Sequence, residues 1–595
     1  MRFNLNKRNA IALAVMALVL CVVYIIIRVS LMVVSLENTV KQVEALQKDA
    51  KAKDLSLLST DFGNAVGAIS MAESSANDPF VQLASYLPII GSDIRAASIA
   101  ATDGKLVLQG AEDVTHIANQ LVKAGVGKNN LKDYSLLKSL RDSMGVLDSS
   151  IQKLNQDLVF VDPNSLHFGL DEKITKAKTT VSAMATASSK ITPLLQIGSI
   201  VLEQPGQKRW FVSIQNLAEA RATGGITGSY AILDVNNGKL KLQEYGTDKT
   251  LAKMGGINFS SYPEDLQSLW GVDLTDWRDI NSSAHAPYAA KLLADGWQQH
   301  RGQKIDGVLF IGQGVVHQLS GAVGPVNVRG VEITPENVVD FLAKDIYAKF
   351  TDVQAKDAVV GELAKQLFSR VIDGKISASG FFAASASDKT GDRIMAWSQD
   401  KAIQQQFSGY QVAGEVSTQF GPNVLVTVNN GGGNKLEAYA NLSIKYELGQ
   451  CNVDTFTGYQ GRRSRIVVDL TNNAPKSGLP AYVTARLDDY FGEARPKGSN
   501  REIVTIYGPV GSEAESVKLN GEDEFVVTGY DRDRPVWIFD IQILPGETKQ
   551  LLAEIVEPIS DSNQELIVGK PSITPPIMLN QPQLSVESIG ECRLK

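Results

Sequence analysis

The stretch WFVSIQNLAEARATGGITGSYAILDVNNGKL, residues 210–240, is where the chain changes character. Its apolar runs are rich in β-branched and aromatic residues, and Asn237-Gly238 separates the second run from the next. That pattern predicts strands joined by a tight hairpin, with a sheet beginning near Gln207. Between the first two runs lies EARATGGITGSY, residues 219–230, with glycines at 224, 225 and 228. Phosphate-binding glycine motifs open a helix, whose N-terminal amides face the anion. Here a strand-like run follows, so the glycines alone predict a turn or bulge leading into a strand.

Downstream, helical patterns at 286–300, 335–350 and 357–372 alternate with the apolar runs IDGVLFI and NVLVTVNN. This alternation predicts an α/β domain over 207–435. After GGGNK the helical patterns stop. Short period-two runs such as ANLSIKYELG and SRIVVDLTN, separated by turn residues, predict an all-β sandwich over 436–595, closed by a proline-rich strap from Gly569. Cys451 and Cys592 lie near the two ends of this last domain. In an oxidising compartment they would form a disulfide that closes it; in a reducing one they would be two buried thiols.

Upstream, Arg2, Lys7 and Arg8 precede an uncharged aliphatic stretch from Ala10 to Ile27, followed by Arg28 and VSLMVVSL. This predicts a cytoplasmic tail over 1–9 and an uncleaved transmembrane anchor over 10–35, with Arg28 snorkelling to an interface near Tyr24. The basic flank places the N-terminus in the cytoplasm and the bulk of the chain outside it, at the cell membrane. Residues 36–200 carry helical periodicity and no chemical motif, as expected of a helical extracytoplasmic region. A net charge of -7, with no basic run, excludes a broad nucleic-acid-binding face. The five histidines show no metal-ligand spacing, so no metal site is expected.

The segments WFVSIQNLAEARATGGITGSYAILDVNNGKL, KIDGVLFIGQGVVHQLSGAVGPVNVRGVEITPENVVDFL, WSQDKAIQQQF and NNGGGNKLEAYANLSIKYEL together resemble a bacterial envelope family known as domain of unknown function 4012. A weaker resemblance is to the LytR-CpsA-Psr phosphotransferases, which move glycopolymers from a polyprenyl-pyrophosphate lipid to the cell wall. Arg221 stands near the first position of that family's Arg-Ser-Asp strand motif, and residues 347–368 occupy the place of its basic helix. The Ser-Asp is replaced by Ala-Thr-Gly, and the helix keeps only Lys349 and Lys356. The expected fold class is therefore multidomain α+β: transmembrane helix, helical extracytoplasmic region, LytR-CpsA-Psr-like α/β domain and C-terminal all-β sandwich.

The resemblance implies that Arg221 is a catalytic phosphate ligand, with Glu219 orienting it and Thr223 and the amides of Gly224 and Gly225 donating to the anion. Asp248 becomes an acid or metal candidate and Lys356 a further ligand; magnesium would accompany phosphotransfer. The implied partners are the membrane, a polyprenyl-pyrophosphate lipid or envelope polysaccharide, and an envelope protein. Two functions follow: binding or transferring a glycopolymer or its lipid carrier, or serving as a non-catalytic surface scaffold. The missing acidic and basic residues favour the second, and the Arg-x-Thr-Gly-Gly segment favours the first.

Overall fold

The computed structural model describes residues 7–52, 55–123, 135–260, 262–350, 352–372, 377–387, 393–455, 460–488, 495–559 and 570–589. The chain forms two compact units, residues 1–199 with 385–387, and residues 200–384 with 388–595.

The first unit is helical: α1 (Lys7–Ala52), α2 (Leu55–Ala76), α3 (Pro79–Ala84), α4 (Gly91–Lys123), α5 (Ser135–Val159) and α6 (Leu170–Glu203). In α5, Met144, Leu147, Ile151, Leu154 and Leu158 fall on one stripe and are buried. They pack with Ala96 and Val107 of α4 and Ile174, Val181 and Ala185 of α6, which is how a helix with one apolar face finds its place. Gly110 allows α4 to approach α5, because a Cβ there would lie 3.2 Å from the Leu147 backbone.

One N-terminal helix is long and apolar enough to cross a membrane. Within α1, however, Met32, Ser35 and Thr39 are buried. Met32 packs against Ala72, Ala76, Ala97 and Ala101 of α2 and α4. The helix is thus already part of the bundle before residue 35, where the sequence expectation ended the anchor. Arg28 does not extend away from the chain. Its Nε lies 3.2 Å from Asp78, and its Nη2 donates to the Ser74 carbonyl at 2.7 Å.

The second unit opens with β1 (Gln207–Arg221), β2 (Gly224–Asn236), β3 (Lys239–Thr247), the short helices α7 (Asp248–Ala252) and α8 (Glu264–Trp270), then α9 (Ala286–Arg301), β4 (Gly307–Ile311) and α10 (Gln313–Val323). A small hairpin, β5 (Val326–Val328) and β6 (Val331–Ile333), precedes β7 (Met395–Ser398). The main sheet has the order β3-β2-β1-β4-β7. Only β1 and β4 pair in parallel, with α9 on the connection that this direction demands. Asn237 and Gly238 turn β2 into β3 with φ of 47° and 72°, the paired left-handed conformations that made Asn-Gly the hairpin signal. Phe211, Tyr230 and Trp297 pack face and edge between sheet and α9, with ring centroids 5.3–5.7 Å apart.

The β region comprises β8 (Asn423–Asn430), β9 (Ala440–Asp454), β10 (Gln460–Asn472), β11 (Asn500–Tyr507), β12 (Glu513–Leu519), β13 (Glu522–Asp523), β14 (Val527–Asp531), β15 (Arg534–Ile543), β16 (Thr548–Pro558), β17 (Ser572–Thr574) and β18 (Gln583–Ser588). Two sheets, ordered β13-β12-β16-β10-β9-β18 and β14-β15-β11-β8-β17, share one core of alternating inward residues such as Ile444, Ile466, Val504 and Phe539. The NVLVTVNN strand, expected to end the α/β domain, is β8 and pairs with β11 in this second sheet. The proline-rich strap adds β17 beside β8 and β18 beside β9, both in parallel. Cys451, at the end of β9, is buried and disulfide-bonded. Cys592, its expected partner, lies outside the described residues.

Candidate functional site

The segment that raised the question of a phosphate loop is the β1–β2 hairpin. Arg221 pairs with Gly224, Ala220 pairs with Gly225, and the register then jumps to Asn216, so residues 217–219 form a bulge. Gly224 takes φ 132°, and a Cβ on Gly225 would lie 2.1 Å from the Asn216 carbonyl oxygen. The two glycines therefore let the hairpin close over its own bulge. Extra residues in one strand bend it and re-aim side chains, and here the bulge carries Glu219.

Arg221 is buried, and its guanidinium is fully used inside the protein. Nε donates to the Arg278 carbonyl and Asp279, each at 3.2 Å. Nη1 donates to the carbonyls of Ala220 and Asn430, at 2.8 and 3.1 Å. Nη2 donates to Asp279 at 2.6 Å and Glu219 at 3.3 Å. A guanidinium has five N–H groups, so none remains for a ligand phosphate. Burial opposes the charge, and Asp279 and Glu219 outweigh it and hold the guanidinium more firmly protonated. Thr223 is equally internal: its hydroxyl accepts from Gln215 Nε2 at 3.1 Å and from Asn281 Nδ2 at 2.9 Å.

Glu219 lines two cavities. On one side, with Arg221, is a space of about 350 Å³ bordered by Arg278, Asp279, Asp488 and Arg501. Those charges are matched in pairs: Arg278 with Asp276 at 2.6 Å, and Arg501 with Asp488 at 3.4 Å and with Asp540.

The other side is a cleft of about 110 Å³ that brings Glu219 together with Asp248, Lys356 and Lys435. Asp248 begins α7 at the end of β3, and Lys356 lies on the helix Val353–Ile372. Lys435 comes from the turn after β8, where the glycines of NNGGGNK let it reach back to Glu219 in a buried ion pair. Burial pushes the Glu219 carboxyl up, but the charges of Lys435 and Arg221 prevail and hold it below its ordinary range. The Lys356 ammonium donates to Tyr482 Oη at 3.0 Å. It lies 4.5 Å from the Tyr482 ring centre and 5.4 Å from that of Tyr347. The two rings stack at 5.7 Å. Quadrupoles of this kind hold a cation without neutralising it.

Three further features give the cleft chemical character. Gln313, the first residue of α10, is buried; its Nε2 donates to Asn216 Oδ1 at 3.2 Å, while its Oε1 has no hydrogen-bond partner. Ile226, Val316 and Val360 supply an apolar wall. Burial raises the Asp248 carboxyl, so it resists ionisation. Asp357 also borders the cleft, with Lys249 at 3.2 Å and Lys356 at 3.8 Å. Its charge is thus already met by ammonium groups, and this donor set does not fit a resident magnesium ion. Among the described residues there is no group of three or more His, Cys, Asp or Glu that could hold a metal.

The structure thus gathers Glu219, Asp248 and Lys356 from the sequence-derived set. It leaves Arg221 behind Glu219, and Thr223, Gly224 and Gly225 line neither of these two cavities. Sequence reasoning missed Lys435, Gln313 and the tyrosine pair Tyr347 and Tyr482. Lys435 stands in NNGGGNK and Gln313 in FIGQGVV, glycine-flanked segments that signal a close backbone approach without saying to what.

Residues 205–347 match the model of a family described as a protein of unknown function, DUF4012, the family whose motifs the sequence carries. No curated protein and no solved structure matches the chain.

Proposed function

We propose that this is a membrane-anchored cell-envelope protein, its N-terminus cytoplasmic and its second unit extracytoplasmic. In this reading the cleft holds the phosphate end of a lipid-linked glycopolymer, such as a polyprenyl-pyrophosphate carrier. The observation that carries it is Lys356, an ammonium held against two tyrosine rings at the cleft and paired only loosely, at 3.8 Å, with an Asp357 that Lys249 shares. Lys356, with Lys435 behind it, supplies positive charge for phosphate. The unpartnered Gln313 Oε1 is an acceptor for a sugar hydroxyl, and the wall of Ile226, Val316 and Val360 suits an apolar chain. Binding is better supported than transfer. Phosphotransfer needs fixed cations aimed at the developing charge, and the arginine expected to provide one is consumed within the fold.

A second reading, a surface scaffold that holds a polysaccharide or an envelope protein, is favoured by that same consumption of Arg221. Calorimetric titration of the detergent-solubilised full chain separates the two. Farnesyl pyrophosphate, with and without magnesium, should bind saturably to wild type and at least tenfold more weakly to Lys356→Ala, the scale of one charged hydrogen bond. Absence of saturable binding by wild type ends the lipid-phosphate reading.

A further inference from the structure

The first unit runs up and down. From Arg28, α1 leaves the apolar segment, and α2 returns to it at Ser74 and Asp78. Helix α4 leaves again and α5 comes back, because Ser92 Oγ donates to the Ser165 carbonyl at 2.8 Å and the His167 amide donates to Asp93 at 2.7 Å. Two turns, residues 77–90 and 159–169, therefore lie at the end of the bundle from which the apolar helix emerges.

Both turns expose large apolar side chains. In the first, Leu83 is 68% and Tyr86 84% exposed, and Phe80 and Ile89 are exposed as well. In the second, Phe160 is 85% and Phe168 82% exposed. No charged residue occurs from Pro79 to Ser92. The first turn is also bound to the apolar helix itself. Tyr24 Oη donates to Asp78 at 2.6 Å, the Tyr24 and Phe80 rings meet edge to face at 5.7 Å, and Val81, Ala84 and Ile94 pack against Ile25 and Val29. Asp78 caps α3 through the amides of Phe80 and Val81, which fixes the direction in which the short helix presents its apolar residues.

We infer that these two turns insert into the interfacial layer of the bilayer, so that the first unit lies on the membrane as well as being tethered to it. This rests on the membrane-anchoring reading. From Arg8 to Arg28 is about 30 Å of helix at 1.5 Å per residue, one hydrocarbon thickness. Arg28 then marks the boundary; the first turn, bonded to Arg28 and Tyr24 through Asp78, sits at that depth, and the second turn is held to the start of α4 by Ser92 and Asp93. The aromatic and aliphatic side chains of the first turn, uncharged from Pro79 to Ser92, suit the headgroup–acyl boundary. The second turn, whose Asp162 and His167 are exposed beside Phe160 and Phe168, meets it on the polar headgroup side. The first turn packs on Ile25 and Val29 of α1, the same helix on which Val23 and Ile27 are exposed, and this union with the apolar helix commits the occupant of the surface to lipid.

The test uses the full chain with Cys21→Ser, reconstituted in phosphatidylcholine–phosphatidylglycerol vesicles. An environment-sensitive fluorophore is placed at Leu83→Cys, Phe160→Cys, the span position Val22→Cys, or Ser189→Cys on the exposed surface of α6. Lipids bearing a nitroxide just below the headgroup should quench the labels at 83 and 160 at least about twofold more than the label at 189. If only the label at 22 is quenched, the inference is overturned and the anchor stands. If the label at 22 is also unquenched, the anchoring reading falls and this inference with it. Agreement between 83 and 160 guards against local disturbance by either substitution.

Discussion

Arg221 and Lys356 are both cations of the second unit that line a cavity with Glu219, and they do opposite jobs. Arg221 projects from the end of a strand into the protein and meets two carboxylates and three carbonyl oxygens. Lys356 stands on a helix facing a cleft and meets one hydroxyl, two aromatic rings and, at 3.8 Å, the Asp357 carboxylate that Lys249 shares. The planar fork of arginine suits saturation by fixed acceptors, whereas a lysine held by rings keeps its charge available. A charged residue at a motif position is thus no guide to ligand binding until its existing partners are counted.

The strongest challenge to this contrast is Arg221→Ala. It would leave Glu219 and Asp279 without their shared counterion, and breaking a buried pair in this way costs about 3–5 kcal/mol. All six tryptophans lie between 210 and 537, so their fluorescence reports on the second unit alone. The urea midpoint should fall sharply, and Arg221→Lys should not restore it, because one ammonium cannot replace the fork. Unchanged unfolding together with lost pyrophosphate binding would reverse the assignment and return Arg221 to the site.

Lys356→Ala should do the converse. Removing a charged hydrogen bond to ligand costs about 1.5–3 kcal/mol, roughly ten- to a hundredfold in affinity. The tryptophan midpoint should shift by about 1–2 kcal/mol, the scale of cation–ring contacts on a mostly buried ammonium, and so by less than in Arg221→Ala. A large loss of stability would mean that Lys356 is a structural cation like Arg221.

This contrast also marks how far the sequence could be read. The strands, the Asn237-Gly238 hairpin, the helical first unit and the strap were visible because period and turn chemistry are local. The reach of Lys435 to Glu219 was not, since it joins residues 216 positions apart across a glycine run that has no periodicity. Nor could spacing reveal that Arg221 is saturated: Asp279 and Asn430, two of its partners, come from segments placed only by the tertiary fold. Asp248 and Lys356 were nameable as residue types, but their meeting in one cleft depends on how α7 and the helix Val353–Ile372 pack.

Behind Arg221 the same network contains buried acids with the opposite shift. Asn430 Nδ2 donates to Glu437 at 2.6 Å, and Asn500 donates to Glu502. Burial raises both carboxyls, and mutual repulsion with Glu437 raises Glu502 further. A folded carboxyl raised above its unfolded value binds more protons than the unfolded chain. The resulting stability is complete below the ordinary carboxyl range and is lost as pH rises through the folded value. Each proton contributes a slope of up to about 1.4 kcal/mol per pH unit. The urea midpoint of wild type should therefore decline on going from mildly acid to alkaline pH, and Glu502→Gln should flatten that decline. An unaltered profile would show that the pair is not protonated in the folded state.

The smallest effect tests the cleft itself. Burial raises Asp248, so below its folded value it is neutral and adds no repulsion to an anion beside Lys356. As pH rises through that value the carboxylate forms on the same wall, and affinity for pyrophosphate should weaken. The change should be on the order of fivefold, because solvent at the open mouth screens the two charges. Asp248→Asn should remove this dependence and leave the acid-side affinity intact. If instead wild type bound pyrophosphate more tightly as Asp248 ionised, the carboxylate would be recruiting a cation, and the cleft would act through a metal in spite of the lysines that now occupy that role.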